Sequence, residues 1–274
     1  MNPITDGTEP LIAQLKDADY RSSDGLSKSM LTHFLRSPAH YLSACDAIVK
    51  PTEAMNFGSA FHAEMLQGSP LEFYAVKKKV DGRTADGKKY NAEFLAENAD
   101  KAIIDEEEYN AILGMKQGLY KNETAHKLMN ELTHREVSFF GTRNNSNPDV
   151  KPVRLKGLLD GYSSATGAII DIKSCEDASI AGFNRAIRQY RYDMQDIHYS
   201  WLVNNAGKPF SGFYFIAVEK SPPYACAVYK VGLTTRLKSM NEWQHAIDYF
   251  GVCQSSGDFP AYPTSVIELE TYSY

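Results

Sequence analysis

Two acidic residues and one lysine carry the clearest chemical meaning in this sequence. Asp160, Asp171 and Lys173 lie in the segment KGLLDGYSSATGAIIDIK, which predicts two strands joined by a Ser/Thr/Gly turn. Because side chains alternate along a strand, Asp171 and Lys173 should point to the same face. A carboxylate and an amine are costly to bury there, and a second carboxylate with a bound cation would offset that cost. The pattern predicts a metal-dependent phosphodiesterase site.

Magnesium suits this group of residues. It prefers oxygen ligands and usually takes one or two protein carboxylates, which leaves positions for water and a substrate phosphate. A lysine beside the carboxylates could help to deprotonate the attacking water, or it could neutralise charge that develops on the phosphate. The alternative is an exposed strand on which Asp171 and Lys173 form a surface ion pair of little energetic weight. The pattern is short and also occurs by chance.

Four further residues are candidates to complete the site. Gln195 and Tyr199 lie four positions apart in a predicted helix, so they project from one face and could contact a phosphate or support the lysine. They could equally form one polar strip on an amphipathic helix. Glu136 starts a predicted strand and could turn its carboxylate into the same cleft. His62 lies in an apolar helix, where a lone histidine is more often a core residue than a ligand.

The elements that position these residues predict an α/β (α+β mixed) fold with a central mixed sheet flanked by helices. Residues 1–25 are predicted to form a partly flexible N-terminal arm, and residues 26–274 a single domain. Helices are predicted from an N-cap at Ser27 to Arg36, from an N-cap at Ser59, over 91–130 with a break near 100–105, over 180–205 and over 233–253. Strands are predicted at 135–141, 153–162, 168–173, 210–219 and 224–231.

The composition is that of an ordinary globular protein. The chain has 274 residues, 43% hydrophobic and 23% charged, and a formal net charge of −5. This charge argues against a generic nucleic-acid coat, but a DNA enzyme with a local basic channel remains compatible with it. The sequence shows no long apolar run and no leader pattern, so we expect a cytoplasmic protein without membrane contact. The scattered cysteines predict reduced thiols without a disulfide framework or zinc site.

Taken together, these motifs resemble the RecB/RecE branch of the PD-(D/E)XK nucleases. The order of the motifs is GSAFH with His62, then Glu136, LLDGY with Asp160, Asp171-Ile172-Lys173 and Gln195-x-x-x-Tyr199. The resemblance is closest to the RecE-type exonucleases (exonuclease VIII) of phages and prophages. It extends over LSKSMLTHFLRSPAHYL, GRTADGKKY, RYDMQDIHYS and DFPAY, so it spans nearly the whole chain from about Gly25.

The resemblance implies a restriction-endonuclease-like core and a role for each site residue. His62, Asp160, Asp171 and the backbone carbonyl of Ile172 would bind Mg²⁺, with Mn²⁺ as a substitute. Lys173 would assist the nucleophilic water, and Glu136 would support the metal or the water. Gln195 and Tyr199 would orient the scissile phosphate and the lysine.

The resemblance also implies a substrate and partners. Relatives degrade one strand of linear double-stranded DNA from 5′ to 3′, release 5′-mononucleotides and leave 3′ overhangs for recombination with a RecT-like single-strand annealing protein. They form homo-oligomeric rings in a bacterial host, and they are encoded by phages or prophages. The cysteines lack the clustering of the iron–sulfur branch, so no iron–sulfur cluster is expected. The alternatives are another PD-(D/E)XK nuclease, either an endonuclease or a 3′→5′ exonuclease, and an inactive DNA-end-binding module.

Candidate DNA contacts come from three basic regions. Residues 77–90 are predicted to form a basic loop that nearly matches a P-loop, but Lys89 stands where a P-loop has Ser or Thr, so we reject nucleotide hydrolysis. A solvated loop is the alternative to DNA contact there. Lys28, Ser29 and Arg36 could bind the 5′ phosphate near a helix N-terminus. Arg188, Arg191 and Tyr192 could reach a phosphate or stack on an unpaired base. The full set is Lys28, Ser29, Arg36, Arg83, Lys88, Arg188, Arg191 and Tyr192.

Overall fold

The computed structural model describes residues 11–15, 17–47 and 50–268. The strands in these ranges are β1 (Leu11–Ala13), β2 (Tyr74–Lys77), β3 (Ala102–Asp105), β4 (His134–Arg143), β5 (Val153–Tyr162), β6 (Ala168–Cys175), β7 (Gly212–Glu219) and β8 (Cys226–Tyr229). The α-helices are α1 (Asp17–Ser22), α2 (Lys28–Arg36), α3 (Pro38–Cys45), α4 (Glu53–Leu66), α5 (Ala85–Glu97), α6 (Glu106–Lys121), α7 (Glu123–Asn130), α8 (Ile180–Tyr190), α9 (Tyr192–Asn205) and α10 (Leu233–Ser256).

Six strands form one mixed sheet in the order β1-β4-β5-β6-β7-β8. β6 and β7 are parallel, whereas the other neighbours in this sheet are antiparallel. β2 and β3 form a separate parallel pair. The parallel step from β6 to β7 requires a crossover, and α8 and α9 supply it.

Each face of the sheet packs on its own apolar core. Ile169 and Phe215 point into a core shared with α2, α9 and α10, while Ile170, Ile172 and Ile216 point into a second core shared with α4 and α6. The alternation along β6 and β7 therefore divides the molecule into three layers, with helices on both sides of the sheet. The predicted mixed fold is confirmed. Among the described residues, no helix combines the length and apolar character that a membrane crossing requires.

Several predicted boundaries agree with the structure because local chemistry decides them. β5 spans the residues that were predicted, and α2 runs from the Ser27 N-cap, whose hydroxyl accepts the Met30 N–H, to Arg36. A short strand, β3, occupies the predicted break between the helices of residues 91–130.

Two predicted helix starts are wrong. α4 begins at Glu53 rather than after Ser59, because Thr52 is the N-cap and accepts the Met55 N–H. α5 begins inside the predicted basic loop, where the Thr84 hydroxyl accepts the Gly87 N–H. Lys88 and Lys89 therefore lie on a helix.

The predicted helix over 180–205 is two helices. Arg191 separates α8 from α9 and has a left-handed backbone, with φ 53° and ψ 48°. This conformation is costly for a residue with a side chain and needs support from its surroundings. Arg191 finds that support in Asp193 and Glu242, to which its guanidinium donates hydrogen bonds of 2.8–3.2 Å.

The described part of the predicted N-terminal arm is ordered on the sheet. β1 pairs antiparallel with β4, and Leu26 forms a bridge with Leu155 of β5. The Lys156 ammonium donates to the backbone carbonyls of Tyr20, Arg21 and Ser23 at 2.6–3.1 Å. Residues 1–10 and residue 16 of that arm lie outside the described residues.

Candidate active site

The candidate site lies where β5 and β6 separate. The two strands pair only at Gly161 with Ile170 and at Tyr162 with Ile169. If this register continued, Asp160 would face Asp171. Instead, the Asp160 carboxylate accepts the backbone N–H of Ile172 at 2.9 Å. The separation lets two carboxylates from neighbouring strands converge without occupying adjacent positions in a closed ladder.

His62 of α4 reaches the same place from the second core. Its Nδ1 lies 3.4 Å from Asp160 Oδ2, and both side chains are only partly exposed. Burial alone would lower the pKa of His62, but the Asp160 carboxylate outweighs it, so the pKa is raised. Burial alone would raise the pKa of Asp160, but His62 and Lys173 lower it below the ordinary value. The pair therefore favours an ionised Asp160.

Asp171 is buried between a lysine and a glutamine. Lys173 Nζ lies 2.6 Å from Asp171 Oδ2, and the Gln195 amide donates a short hydrogen bond to Asp171 Oδ1. Burial raises the pKa of Asp171 to about 6, although the lysine opposes that rise. The structure thus brings together the predicted strand residues and the first residue of the predicted helical pair.

Tyr199 lies one helical turn beyond Gln195, on the side of α9 that packs against β5. A Cβ atom on Gly157 would lie 2.8 Å from Leu202 Cδ1 and 2.9 Å from Tyr199 Cε1, so only glycine allows this approach. Burial, reinforced by the charges of Asp171 and Asp160, holds the pKa of Tyr199 well above its ordinary value. The hydroxyl stays neutral and can act as a hydrogen-bond donor.

Glu136 is placed opposite Asp160. The register pairs Arg135 with Gly161 and Val137 with Leu159, which leaves Glu136 across from Asp160. Glu136 has φ 47°, a left-handed backbone conformation that is uncommon for a residue with a side chain. Its carboxylate accepts a hydrogen bond from Gln67, which caps the C-terminus of α4. Gln67 was not predicted, because no local pattern links the end of α4 to β4.

The carboxylates fit a divalent cation that takes few protein ligands. Asp171 Oδ2 is buried, and its close contact among the described residues is the ion pair with the Lys173 ammonium at 2.6 Å. Within the same residues, no three His, Cys, Asp or Glu side chains form a ready-made metal cluster. Magnesium commonly takes only one or two protein carboxylates, so Asp160 and Asp171 are compatible with it.

Comparison with known proteins assigns the chain to a family. A family model described as a PDDEXK-like domain of unknown function (DUF3799) matches residues 27–268. The chain belongs to the DUF3799 family. Curated protein sequences give no match. The predicted PD-(D/E)XK core is therefore confirmed, while the narrower resemblance to RecE-type exonucleases stays a prediction.

A solved structure shares the fold of this DUF3799 chain. A protein from Eubacterium rectale described as a "Putative exonuclease" is 14% identical, with a TM-score of 0.59 over 95% of this chain and 97% of that chain. A phage related exonuclease from Haemophilus somnus 129PT is 12% identical over 73% of this chain and 95% of that chain, with a TM-score of 0.31. The fold comparison rests on the first of these proteins.

Of the predicted DNA contacts, Lys28 lies at the candidate site itself. Its ammonium is 5.6 Å from the centre of the Tyr192 ring, and the Lys173 ammonium is 4.9 Å from the same centre. Burial, followed by the charge of Lys173, lowers the pKa of Lys28 to about 8. Ser29 follows at the start of the same helix. Arg36, however, lies in the last turn of α2 and donates to the Tyr262 hydroxyl, so it is not part of a site at the helix N-terminus.

Tyr192 and Arg191 are committed to contacts within the protein. The Tyr192 ring stacks on Phe215, and the ammonium groups of Lys28 and Lys173 lie over it. Its stacking on a base stays a prediction. The Arg191 guanidinium is occupied by two carboxylates, which removes it as a free phosphate contact. Both side chains therefore contact other residues of the protein next to the candidate site.

The remaining predicted contacts lie on exposed surfaces. Arg83 pairs with the neighbouring Asp81, which reduces the charge it can offer to DNA. Lys88 on α5 and Arg188 in the last turn of α8 are exposed. Their contact with DNA stays a prediction.

Proposed function

We propose that this chain is a Mg²⁺-dependent 5′→3′ exodeoxyribonuclease that resects linear double-stranded DNA. Its products would be 5′-mononucleotides and 3′ overhangs for recombination by strand annealing. The observation that carries the proposal is the convergence of Asp160, Asp171, Lys173 and Gln195 where β5 separates from β6. These side chains come from two strands and a helix, and they meet on a PD-(D/E)XK core.

Each side chain has a defined task in this proposal. Asp160 and Asp171 would hold Mg²⁺, with His62 and the Ile172 carbonyl as further ligands. When bound, Mg²⁺ lowers the pKa of the water that it coordinates and neutralises negative charge on the phosphate. The Gln195 amide orients Asp171 through its hydrogen bond.

Lys173 and Tyr199 would act on the substrate phosphate. The Lys173 ammonium sits beside Asp171 and can neutralise negative charge that develops on the phosphate oxygens during attack by water. The neutral Tyr199 hydroxyl can donate a hydrogen bond to the scissile phosphate. Glu136, opposite Asp160, would support the water or the metal.

The direction of digestion, the annealing partner and the ring assembly are supported by the sequence resemblance alone. Exposed basic residues, including Lys88 and Arg188, would contact the DNA backbone. A ring would place such residues around the duplex despite the negative net charge.

Digestion of end-labelled DNA tests this proposal. We expect the wild-type protein with Mg²⁺ to release 5′-labelled mononucleotides from linear duplex and to leave closed circular duplex intact. Chelation of the metal and the variant Asp171→Asn should each abolish this release. The matched control is Asp149→Asn, which changes an exposed aspartate between β4 and β5 and should digest like the wild type.

Other outcomes would favour the alternatives. Equal attack on circular DNA would indicate an endonuclease, and early release of a 3′ label would indicate the opposite polarity. If the wild type and Asp171→Asn show the same background digestion with every divalent metal, the chain is a DNA-end-binding module rather than a nuclease.

A further inference from the structure

Tyr190 is an exposed aromatic residue at the edge of the candidate site. It is the last residue of α8, and 51% of its surface is accessible. Its ring lies 5.6 Å, centre to centre, from that of Tyr192, and the Lys173 ammonium lies 4.9 Å from the centre of the Tyr192 ring. One aromatic side chain therefore separates the exposed tyrosine from the lysine of the site.

The backbone of Tyr190 is fixed from both sides. The Lys28 ammonium donates a hydrogen bond of 2.6 Å to the Tyr190 carbonyl. The next residue, Arg191, has the left-handed conformation and is held by Asp193 and Glu242. A single exposed tyrosine is ordinary on a protein surface. The backbone of this one is held beside the residues that would act on the phosphate.

The ring of Tyr192 is less available to a nucleobase than the ring of Tyr190. The Tyr192 ring stacks on Phe215, and the ammonium groups of Lys28 and Lys173 also lie over it. Tyr190 is the more exposed ring of this pair, since Tyr192 is partly buried. An exposed aromatic face next to a phosphodiester site suits a nucleobase, since every base offers a flat π surface whatever its sequence.

We propose that Tyr190 stacks on a nucleobase next to the phosphodiester that is cleaved, and so positions an unpaired end nucleotide without reading its sequence. This inference rests on the proposed nuclease function. Stacking contacts of this kind are worth roughly 5- to 100-fold in affinity or rate per base. The ring rather than the hydroxyl would make the contact, so the substitution Tyr190→Phe should preserve it.

A double-mutant cycle between protein and DNA tests the contact. The substrates are a normal linear duplex and matched duplexes with a single abasic residue at the first or second position from the 5′ end. The measurement is kcat/KM for release of the first nucleotide with Mg²⁺. We expect Tyr190→Ser to lower kcat/KM on normal DNA by roughly 5- to 100-fold. On one of the abasic duplexes it should have little effect, because the stacking partner is already missing.

Two further variants serve as controls. Tyr190→Phe should keep the wild-type preference for normal over abasic DNA. Tyr120→Ser, which changes an exposed tyrosine near the end of α6, should do the same. The stacking proposal is wrong if Tyr190→Ser lowers kcat/KM equally on normal and abasic DNA, or on neither. Failure of the wild type to cleave any of the duplexes would instead overturn the nuclease function, and the stacking proposal with it.

Discussion

Lys173 shows how neighbouring charges decide between two chemical roles. Burial alone would lower the pKa of this lysine, but Asp171 and Asp160 outweigh it and raise the pKa above the ordinary value. The Tyr192 ring adds a cation–π contact. The side chain therefore stays an ammonium at neutral pH. This favours neutralisation of charge on the phosphate over proton abstraction from water.

At this scale we predict that Lys173→Met slows cleavage with little loss of DNA binding. Removal of a group that stabilises developing charge typically costs about 10²- to 10³-fold in rate. Single-turnover digestion at saturating enzyme measures the rate, and a gel-shift titration measures binding. Lys208→Met, at an exposed lysine, is the matched control. A variant at position 173 that cleaves at the wild-type rate would remove the lysine from the mechanism.

At the scale of elements, His198 joins α9 to β5 and α10. It is fully buried, its Nε2 lies 3.0 Å from the Lys156 carbonyl, and its Nδ1 lies 3.2 Å from the Trp243 indole nitrogen. The indole N–H can only donate, so Nδ1 accepts and Nε2 carries the proton. Burial lowers the pKa of His198 to about 4. This neutral histidine helps to hold the helix that carries Gln195 and Tyr199.

The depressed pKa of His198 predicts a loss of stability in acid. The unfolded chain binds a proton near pH 6.5, whereas the folded chain binds it only near pH 4, so stability present above pH 6.5 falls as the pH decreases between these values. The loss should approach about 3 kcal/mol. Urea unfolding of the wild type and His198→Gln at pH 7.5 and pH 4.5 measures it.

The variant should lose less stability in acid than the wild type. His245→Gln, at an exposed histidine of α10, is the control and should lose as much as the wild type. Identical losses in the wild type and His198→Gln would show that His198 does not cause the acid sensitivity.

At the scale of the whole molecule, Lys156 fastens the N-terminal segment to the sheet. Its buried ammonium binds three backbone carbonyls at the end of α1 and just after it, where it also complements the helix dipole. Leu26 then forms a bridge with Leu155 of β5. Lys28 follows two residues later and lies at the candidate site. The position of the N-terminal segment thus depends on a lysine of β5, which lies far from it in the sequence.

We predict that Lys156→Met destabilises the protein and releases this segment first. Loss of charge-assisted hydrogen bonds in a buried place should cost about 3 kcal/mol. Denaturant unfolding measures the loss, and amide hydrogen exchange should accelerate over residues 18–27 more than over β6. Lys151→Met, at an exposed lysine just before β5, should change neither quantity. Unchanged exchange in the segment would show that Lys156 does not hold it.

The sequence by itself determined the elements whose signals are local. Alternation along β5 and β6 predicted where Asp160, Asp171 and Lys173 lie, and the Ser27 hydroxyl predicted the start of α2. These features depend on neighbours within a few positions, so they can be predicted from local sequence patterns.

Only the tertiary structure decided how these elements meet. The separation of β5 from β6, the Gln67 contact to Glu136 and the break at Arg191 depend on partners far along the chain. Glu242, for example, lies 51 positions from Arg191 and pairs with its guanidinium, which the sequence analysis predicts as a DNA contact. The same long-range packing partly buries Tyr192 and leaves Tyr190 exposed beside the candidate site. Local patterns carry no information on such contacts, because burial and charge at each position depend on the assembled layers.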